Sequence, residues 1–457
     1  MTLMLVLLLQ LLTGMGVIAC TNTRLPKSMV IPLGLLVGMF VHSMAFFGVD
    51  LIHWGLSFPT MIASGMLTAV ASHCWIHRVR EFYSWLFSNY TFSLRMYDVV
   101  ALGFALTTGY YVVWAAWFWP VTPFDAMAGI DLVAREAVNQ GTINNRVFTD
   151  ASLAGFLSNQ PFYAPFAMLM QVMYRLLGFG YGQVWLGVMA IAASWCFWSV
   201  LRQYSHPFVA NILWLLLILT PEFLGYTYLL QTDYLNAVYF SLGVMLLVMS
   251  VSNATKDQAS YKALPLAAIL LAGACWSRTE TILLVGIGLA ACLVLWQVQS
   301  FKKEKLTFML STVSLCGLAF FLWNGYYLQS VLPVRPDTAS ELVGFSTSRF
   351  VEVTSSTFSN VVADAGLWGI AFILFTAMLL VNVFVKRNAG NIMLLAWIIA
   401  ALLGLLIVGT VFSAAIVEQT LRRGMFKLLP LLFLYIAALP IVQEWGLRLQ
   451  QWEKGKA

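Results

Sequence analysis

Residues 391–413 read NIMLLAWIIAALLGLLIVGTVFS, 23 residues without one charged side chain. At about 1.5 Å per helical residue, such a run is long enough to cross a bilayer core roughly 30 Å thick. Working outward in both directions, comparable apolar runs recur at about 3–20, 29–47, 54–76, 97–119, 183–201, 207–224 and 234–252. They continue at 263–276, 281–299, 306–325, 366–385 and 425–443. The whole chain of 457 residues is 61% hydrophobic and 10% charged. Soluble domains carry about a quarter charged residues, so a water-soluble globule is excluded. The fold class is an all-α polytopic membrane protein, a bundle of about thirteen transmembrane helices.

The formal charge of +6 is small and scattered. It gives no nucleic-acid footprint and fits cytoplasmic loops resting on anionic lipid. Cys20, Cys74, Cys196, Cys275, Cys292 and Cys316 lie in or beside apolar runs without CxxC spacing. Neither a disulfide framework nor a thiolate zinc site is indicated. Val17-Ile18-Ala19-Cys20 matches a lipoprotein cleavage box, but no Lys or Arg precedes it, so an ordinary first span is expected.

Alternating thirteen spans puts two sets of loops on opposite sides. One set holds Arg24, Lys27, Arg78, Arg80, Arg95, Arg202, Lys256, Lys262, Lys302, Lys303, Lys305, Lys386, Arg387, Arg448, Lys454 and Lys456. That is 16 of the 25 basic residues, and the positive-inside bias makes this set cytoplasmic. Two long, less apolar stretches, 120–182 and 326–365, then fall outside. Residues 162–178 are apolar but short, with Pro161 and Pro165 at the start and Gly178 and Gly180 closing the segment. Counting this segment as a span would invert every later loop, so it is expected to lie on, or dip into, the outer leaflet. The triplets Asn89-Tyr90-Thr91 and Asn253-Ala254-Thr255 fall in cytoplasmic loops and read as chance.

Ionisable groups near hydrocarbon are expensive, so those at the external rim are the first site candidates. Asp125, in Val121-Thr122-Pro123-Phe124-Asp125, follows the fourth span. It could accept a proton from a hydroxyl, or it could belong to a helix start with Thr122 as N-cap and Pro123 in the first turn. Asp131 has Arg135 four residues on as an expected partner. Asp233, in Gln231-Thr232-Asp233-Tyr234, opens the seventh span. It could meet a substrate hydroxyl, a metal or an arginine, or simply stabilise its own helix terminus. The tight hairpin Trp276-Ser277-Arg278-Thr279-Glu280 offers either a structural ion pair or a guanidinium fork for phosphate, oriented by Glu280. Glu418 and Arg422-Arg423-Gly424 open the last span. Two external arginines oppose the positive-inside trend and point to an anion, either a ligand or lipid phosphate. The five histidines lack metal-ligand spacing, so no histidine metal site is expected.

With these clusters in order, the chain resembles the GT-C superfamily of polytopic glycosyltransferases, nearest lipid A aminoarabinose transferase and the protein mannosyltransferases. Five stretches carry the likeness. VTPFDAMAGIDLVAREAVNQG (121–141) and QPFYAPFAMLMQVMYRLLGFG (160–180) look like the first external loop and its closing segment. LTPEFLGYTYLLQTDYLNAVYF (219–240) resembles the second external loop, and LAGACWSRTETILL (271–284) a Lys-x-Glu hairpin with Arg278 in the Lys position. RRGMFKLLPLLFLY (422–435) is similar to an Arg-then-Pro start of a late span. The likeness covers roughly 97–443, leaving 1–96 as a three-span N-terminal addition and 444–457 as a cytoplasmic tail.

The resemblance implies external juxtamembrane helices and a polyprenyl-phosphate sugar donor within membrane lipid. The acceptor would be a lipid, glycan or protein, and the site would face the periplasm from a bacterial inner membrane. Asp125 would be the catalytic base. Arg278, Arg422 and Arg423 would meet the leaving phosphate, and Asp233 or Glu280 would bind donor hydroxyls or hold those arginines. The first loop lacks the family's Asp-Glu or Asp-x-Asp pair, so no cofactor is firmly implied and a divalent metal is not indicated. The short tail argues against an oligosaccharyltransferase. Two alternatives stay open: an O-antigen-type polymerase or ligase, for which Arg335 and Arg349 in the second long stretch speak, and a multi-span transporter. Almost no acids or bases fall mid-span, which weighs against the transporter.

Overall fold

The computed structural model describes residues 2–23, 25–88, 94–253, 263–299, 303–332, 344–386, 391–412 and 415–455. Arg24, Lys256, Lys262, Lys302, Arg335, Arg387, Lys456, the triplet at Asn89, and Ala254 and Thr255 of the second triplet lie outside them. The protein is an all-helical membrane protein, with no strand among the described residues. Seven described helices are long and apolar enough to cross a bilayer: Thr2–Cys20, Lys27–Leu51, Met96–Phe118, Val184–Tyr204, Thr232–Ser250, Lys303–Val331 and Ile392–Val411. Five shorter apolar helices are Phe58–Ser72, Pro207–Ile218, Leu264–Ser277, Thr281–Trp296 and Ala371–Phe384.

Proline sets where two apolar runs break. The run 207–224 stops as a helix at Ile218 and restarts as Pro221–Gly225, because Pro221 can start a turn but not continue one. The last run does not continue straight to 443. Its helix Leu429–Ala438 ends before Pro440, and Pro440–Lys454 leaves at 61°. The expected tail is therefore helical. It leaves Trp445, Leu447 and Trp452 exposed, and Glu453 contacts Arg95.

The helix opening at Thr232 is the central post, buried along its whole apolar length. Met96–Phe118 is peripheral, and its exposed Trp114, Trp117, Phe118 and Trp119 cluster at one end as an interfacial belt. The first two helices meet backbone to backbone. A Cβ at Gly14 would fall 1.7 Å from the Gly34 carbonyl oxygen, and one at Gly38 would fall 1.6 Å from that of Gln10. Small residues permit this approach, which replaces the hydrophobic drive missing between helices in lipid. The described residues before 96 pack within the bundle. Tyr239 donates to the Leu36 carbonyl at 2.5 Å, and buried Asp50 accepts from Tyr327 at 2.5 Å and from the Ile143 amide at 3.0 Å.

Asp50 thereby ties both long stretches together. Asn144 donates to the Val331 carbonyl at 3.2 Å, and Trp323 to the Phe162 carbonyl at 2.9 Å. The described parts of both stretches therefore meet at one end of the bundle, the loop end. The short apolar segment forms the helix Phe166–Leu176, at 11 residues too short to cross. It does not lie on a leaflet: every residue from Phe166 to Tyr174 is buried within the protein, packed against Asp131–Gln140 and Lys27–Leu51. At the opposite end, Arg202 pairs with Asp98 at 3.1 Å and Asn211 donates to the same carboxylate at 2.8 Å.

Candidate functional site

Four segments far apart in sequence bring the candidate side chains together at the loop end. Beyond Met96–Phe118 the chain turns at Phe124–Asp125 into a wide π-type turn, Ala126–Ile130. Such turns interrupt the regular ladder and re-aim side chains. A Cβ on Gly129 would meet Ser158 Oγ at 2.5 Å and Gln160 Cβ at 2.8 Å, so only glycine lets the 158–160 segment close on this turn. Ser158 then donates to the Asp125 carbonyl at 2.8 Å. Thr122 makes no capping hydrogen bond among the described residues, and the helix starts one residue later than expected, so the Asp125 carboxylate is not held there as part of a Thr122 cap.

That carboxylate faces Arg423. Arg423 Nη1 lies 3.3 Å from Asp125 Oδ2, 3.0 Å from Gln231 Oε1 and 3.8 Å from Asp233 Oδ2. Gln160 also donates to Gln231 Oε1, at 2.8 Å. Asp233 is in the first turn of its helix, but its carboxylate is spent on arginines rather than on its own helix terminus. Its other oxygen takes Arg278, which also contacts Glu280 and lies over the Tyr163 ring at 5.1 Å from the ring centre. The Arg278 hairpin is fastened by Asn236, whose Nδ2 reaches the Ala274 carbonyl at 2.7 Å and the Ser277 and Thr281 hydroxyls at 2.8 Å. Burial alone would disfavour the Arg278 charge, but Asp233 and Glu280 more than restore it and hold the guanidinium above its usual range.

The result is an alternating chain, Asp125–Arg423–Asp233–Arg278–Glu280. Its outer end, the Asp125 side chain, is 41% exposed, and Asp233 is 0% exposed. Asp125 Oδ1 makes no hydrogen bond among the described residues. Arg422 branches off to Glu222, Nε to Oε1 at 3.0 Å. Both arginines of the pair are thus committed to carboxylates rather than reaching outward to lipid. All six candidates, Asp125, Asp233, Arg278, Glu280, Arg422 and Arg423, belong to this cluster. Guanidinium groups separate its carboxylates, and among the described residues no three His, Cys, Asp or Glu side chains gather as ligands for one ion.

Two expectations around the cluster change. Asp131 does not pair with Arg135. Arg175 Nη2 holds its carboxylate at 2.7 and 2.8 Å, with Gln171 at 2.8 Å, while Arg135 faces Glu136 at 3.7 Å. The fork comes from a helix 44 residues on, which no local spacing could announce. Arg349 donates to the Phe412 carbonyl at 3.1 Å and takes no part in the charge chain.

Five contributors were not singled out from the sequence: Gln160, Tyr163, Glu222, Gln231 and Lys427. Lys427 carried a signal, since a lysine inside an apolar run is costly unless used. It follows Arg423 by four residues, is 1% exposed, and has Arg278, Glu280 and Asp233 as electrostatic neighbours.

An apolar groove of about 430 Å³ lies between Met96–Phe118, Val184–Tyr204 and Pro207–Ile218, and none of the charged side chains of the cluster lines it. Leu106 and Tyr110 line its exposed flank, and Phe223, Leu224, Thr227 and Tyr234 line the other end. Phe223 and Tyr234 are the chain neighbours of Glu222 and Asp233, and their rings pack at 5.0 Å. The chain matches no known protein family, no curated protein and no solved structure.

Proposed function

We propose that this protein is an integral-membrane glycosyltransferase of the GT-C type. In this reading thirteen spans cross a bacterial inner membrane and the loop end faces the periplasm. The enzyme moves a sugar from a polyprenyl-phosphate donor to a hydroxyl of a lipid, glycan or protein acceptor. One observation carries the reading: an alternating chain of carboxylates and guanidinium groups, buried at Asp233 and Arg278 and part-exposed at both ends, Asp125 and Glu280, in a bundle that also holds an apolar groove with an exposed flank. A polyprenyl phosphate has that same division, an apolar tail and a charged head, and must enter sideways from lipid.

The chemistry is a displacement at the anomeric carbon. The acceptor hydroxyl gives its proton to Asp125 Oδ1 as its oxygen bonds to that carbon. The bond from the carbon to the phosphate oxygen breaks, and its electron pair leaves with the polyprenyl phosphate. Fixed cations in a water-poor site stabilise the charge that develops there, a role for the buried Arg278 side of the chain. Asp233 and Glu280 hold the cations in register. The tail occupies the groove beside Phe223 and Tyr234. The position of Arg349 outside the charge chain gives the polymerase or ligase alternative no support.

The test is turnover by purified protein in nanodiscs, using a panel of polyprenyl-phosphate sugars, with mass spectrometry of released polyprenyl phosphate. Wild type should release it in an acceptor-dependent way, and Asp125→Asn should do so about 10²–10⁴-fold more slowly. No release from any donor would end the reading. Unchanged turnover in Asp125→Asn would remove the first loop from the mechanism.

A further inference from the structure

The three arginines of the cluster are each already engaged. Arg278 contacts two carboxylates, Arg423 faces two, and Arg422 faces Glu222. Lys427 differs. It is buried to 1% exposure, yet its ammonium makes no hydrogen bond or ion pair among the described residues. An ammonium has three hydrogens to donate, and no group of the described residues takes them. The turn Arg422–Lys427 explains how it reaches the cluster. Lys427 ends the 3-10 turn Met425–Lys427 that follows Arg422–Gly424, and this turn packs against the helix opening at Thr232.

We propose that Lys427 is the primary seat for the phosphate of the ligand, with Arg278 as its second contact. This rests on the glycosyltransferase reading only for the identity of the lipid attached to that phosphate. An arginine already faced by carboxylates gains less from a further anion than a cation without an ion pair, which is why Arg278 comes second. The unpaired ammonium gains a charge-assisted hydrogen bond that nothing else in the site supplies. Lysine also suits the task as a compact point charge, able to follow a phosphate as it changes from diester to departing monoester. The chemistry is that of a phosphate on either a lipid or a free ion, and the tail groove favours the lipid form.

The experiment is calorimetric binding to the full-length protein in detergent, with farnesyl phosphate, inorganic phosphate and farnesol as probes. Wild type should bind farnesyl phosphate, and Lys427→Met should weaken it about 30-fold, equivalent to about 2 kcal/mol. Farnesol binding should not change, and Lys427→Arg should restore most of the loss. If Lys427→Met is not monodisperse, Lys427→Gln is read in its place. Farnesyl phosphate binding within twofold of wild type in the neutral variant would overturn the proposal while leaving the glycosyltransferase reading intact. Inorganic phosphate binding as tightly as farnesyl phosphate, with the same loss in Lys427→Met, would uphold the seat and defeat the lipid-donor reading. No binding of either phosphate by wild type would overturn both.

Discussion

Asp233 and Arg278 provide the sharpest test of the charge chain, because the cost of cutting it can be worked out link by link. Asp233 is fully buried and shared by two guanidinium groups, and Arg278 is 8% exposed. Removing one partner of a buried pair costs about 3–5 kcal/mol, since the other charge is left uncompensated. In Asp233→Asn, Arg278 keeps Glu280 and Arg423 keeps Asp125 and Gln231, so about 3 kcal/mol is expected. In Arg278→Met the buried carboxylate retains only the 3.8 Å contact with Arg423, and about 4 kcal/mol is expected. The double variant leaves neither charge stranded. It should cost about 4 kcal/mol rather than the sum, a coupling of about 3 kcal/mol.

Unfolding in mixed micelles with rising dodecyl sulfate, followed by far-UV circular dichroism, measures all four proteins. The control is Glu222→Gln with Arg422→Met, a pair whose side chains are 19% and 32% exposed. Solvent screening limits such a pair to about 1 kcal/mol, with a coupling to match. Additivity of Asp233→Asn and Arg278→Met within about 0.5 kcal/mol would refute the claim that these charges form one buried unit.

Asp125→Asn should show the reverse pattern, a stability loss of about 1 kcal/mol or less for a part-exposed pair and a fall in turnover of about 10²–10⁴-fold; Asp131→Asn, which breaks the Arg175 fork, should lose about 3 kcal/mol of stability in the same unfolding assay. Gly38→Val should cost about 3 kcal/mol or more, because its Cβ lands on a backbone carbonyl that cannot yield; Gly48→Ala, with nothing within 4 Å of the added carbon, should be neutral or gain up to about 1 kcal/mol on the same titration. In a Cys74→Ser background, single cysteines at Gln419 and Gln451 should label from opposite sides of sealed vesicles, and labelling from one side would make Leu429–Ala438 a re-entrant segment rather than a span.

The helices were legible because hydrocarbon imposes one solution, an internally bonded helix wherever an apolar run is long enough. Of the thirteen runs read from the sequence, seven coincide with described helices long and apolar enough to cross, five with shorter apolar helices and the last with a pair bent at Pro440. What the runs could not convey was how each one ends. Pro440 lies inside an apolar stretch, and only packing decides whether proline kinks a helix or turns the chain aside. The segment at 162–178 was misplaced for a related reason. Hydropathy states that a helix leaves water, but not whether it enters lipid or protein, and here protein covers it from Phe166 to Tyr174. The site was legible as a set of expensive residues at one end, since each of Asp125, Asp233, Arg278, Glu280, Arg422 and Arg423 stands beside an apolar run. Their pairing was not. Arg423 reaches Asp125 across 298 residues, and Arg175 displaces Arg135 from Asp131. Local spacing proposes partners within a turn of helix, and a folded bundle offers geometrically better ones from elsewhere.

The energetic sign of this cluster is itself an argument for use. Replacing a buried ion pair by well-packed apolar side chains of similar volume is often neutral or stabilising by about 1–4 kcal/mol. A bundle whose only task was to fill the membrane would gain by placing Leu or Met at 233, 278 and 427, as it does at the adjoining Leu235, Cys275 and Leu428, which are buried and apolar. The register of the first helices does not depend on these charges. The Gly14, Gly34 and Gly38 contact and the Asp50 hydrogen bonds already fix how the first helices and both long stretches dock. The buried charges are also unevenly satisfied, with carboxylates paired to the arginines while Lys427 feels Glu280 and Asp233 without an ion pair among the described residues. A purely structural network would close on itself. This one leaves the Lys427 ammonium without a hydrogen bond or ion pair among the described residues, and in the proposal above a ligand's negative charge completes it.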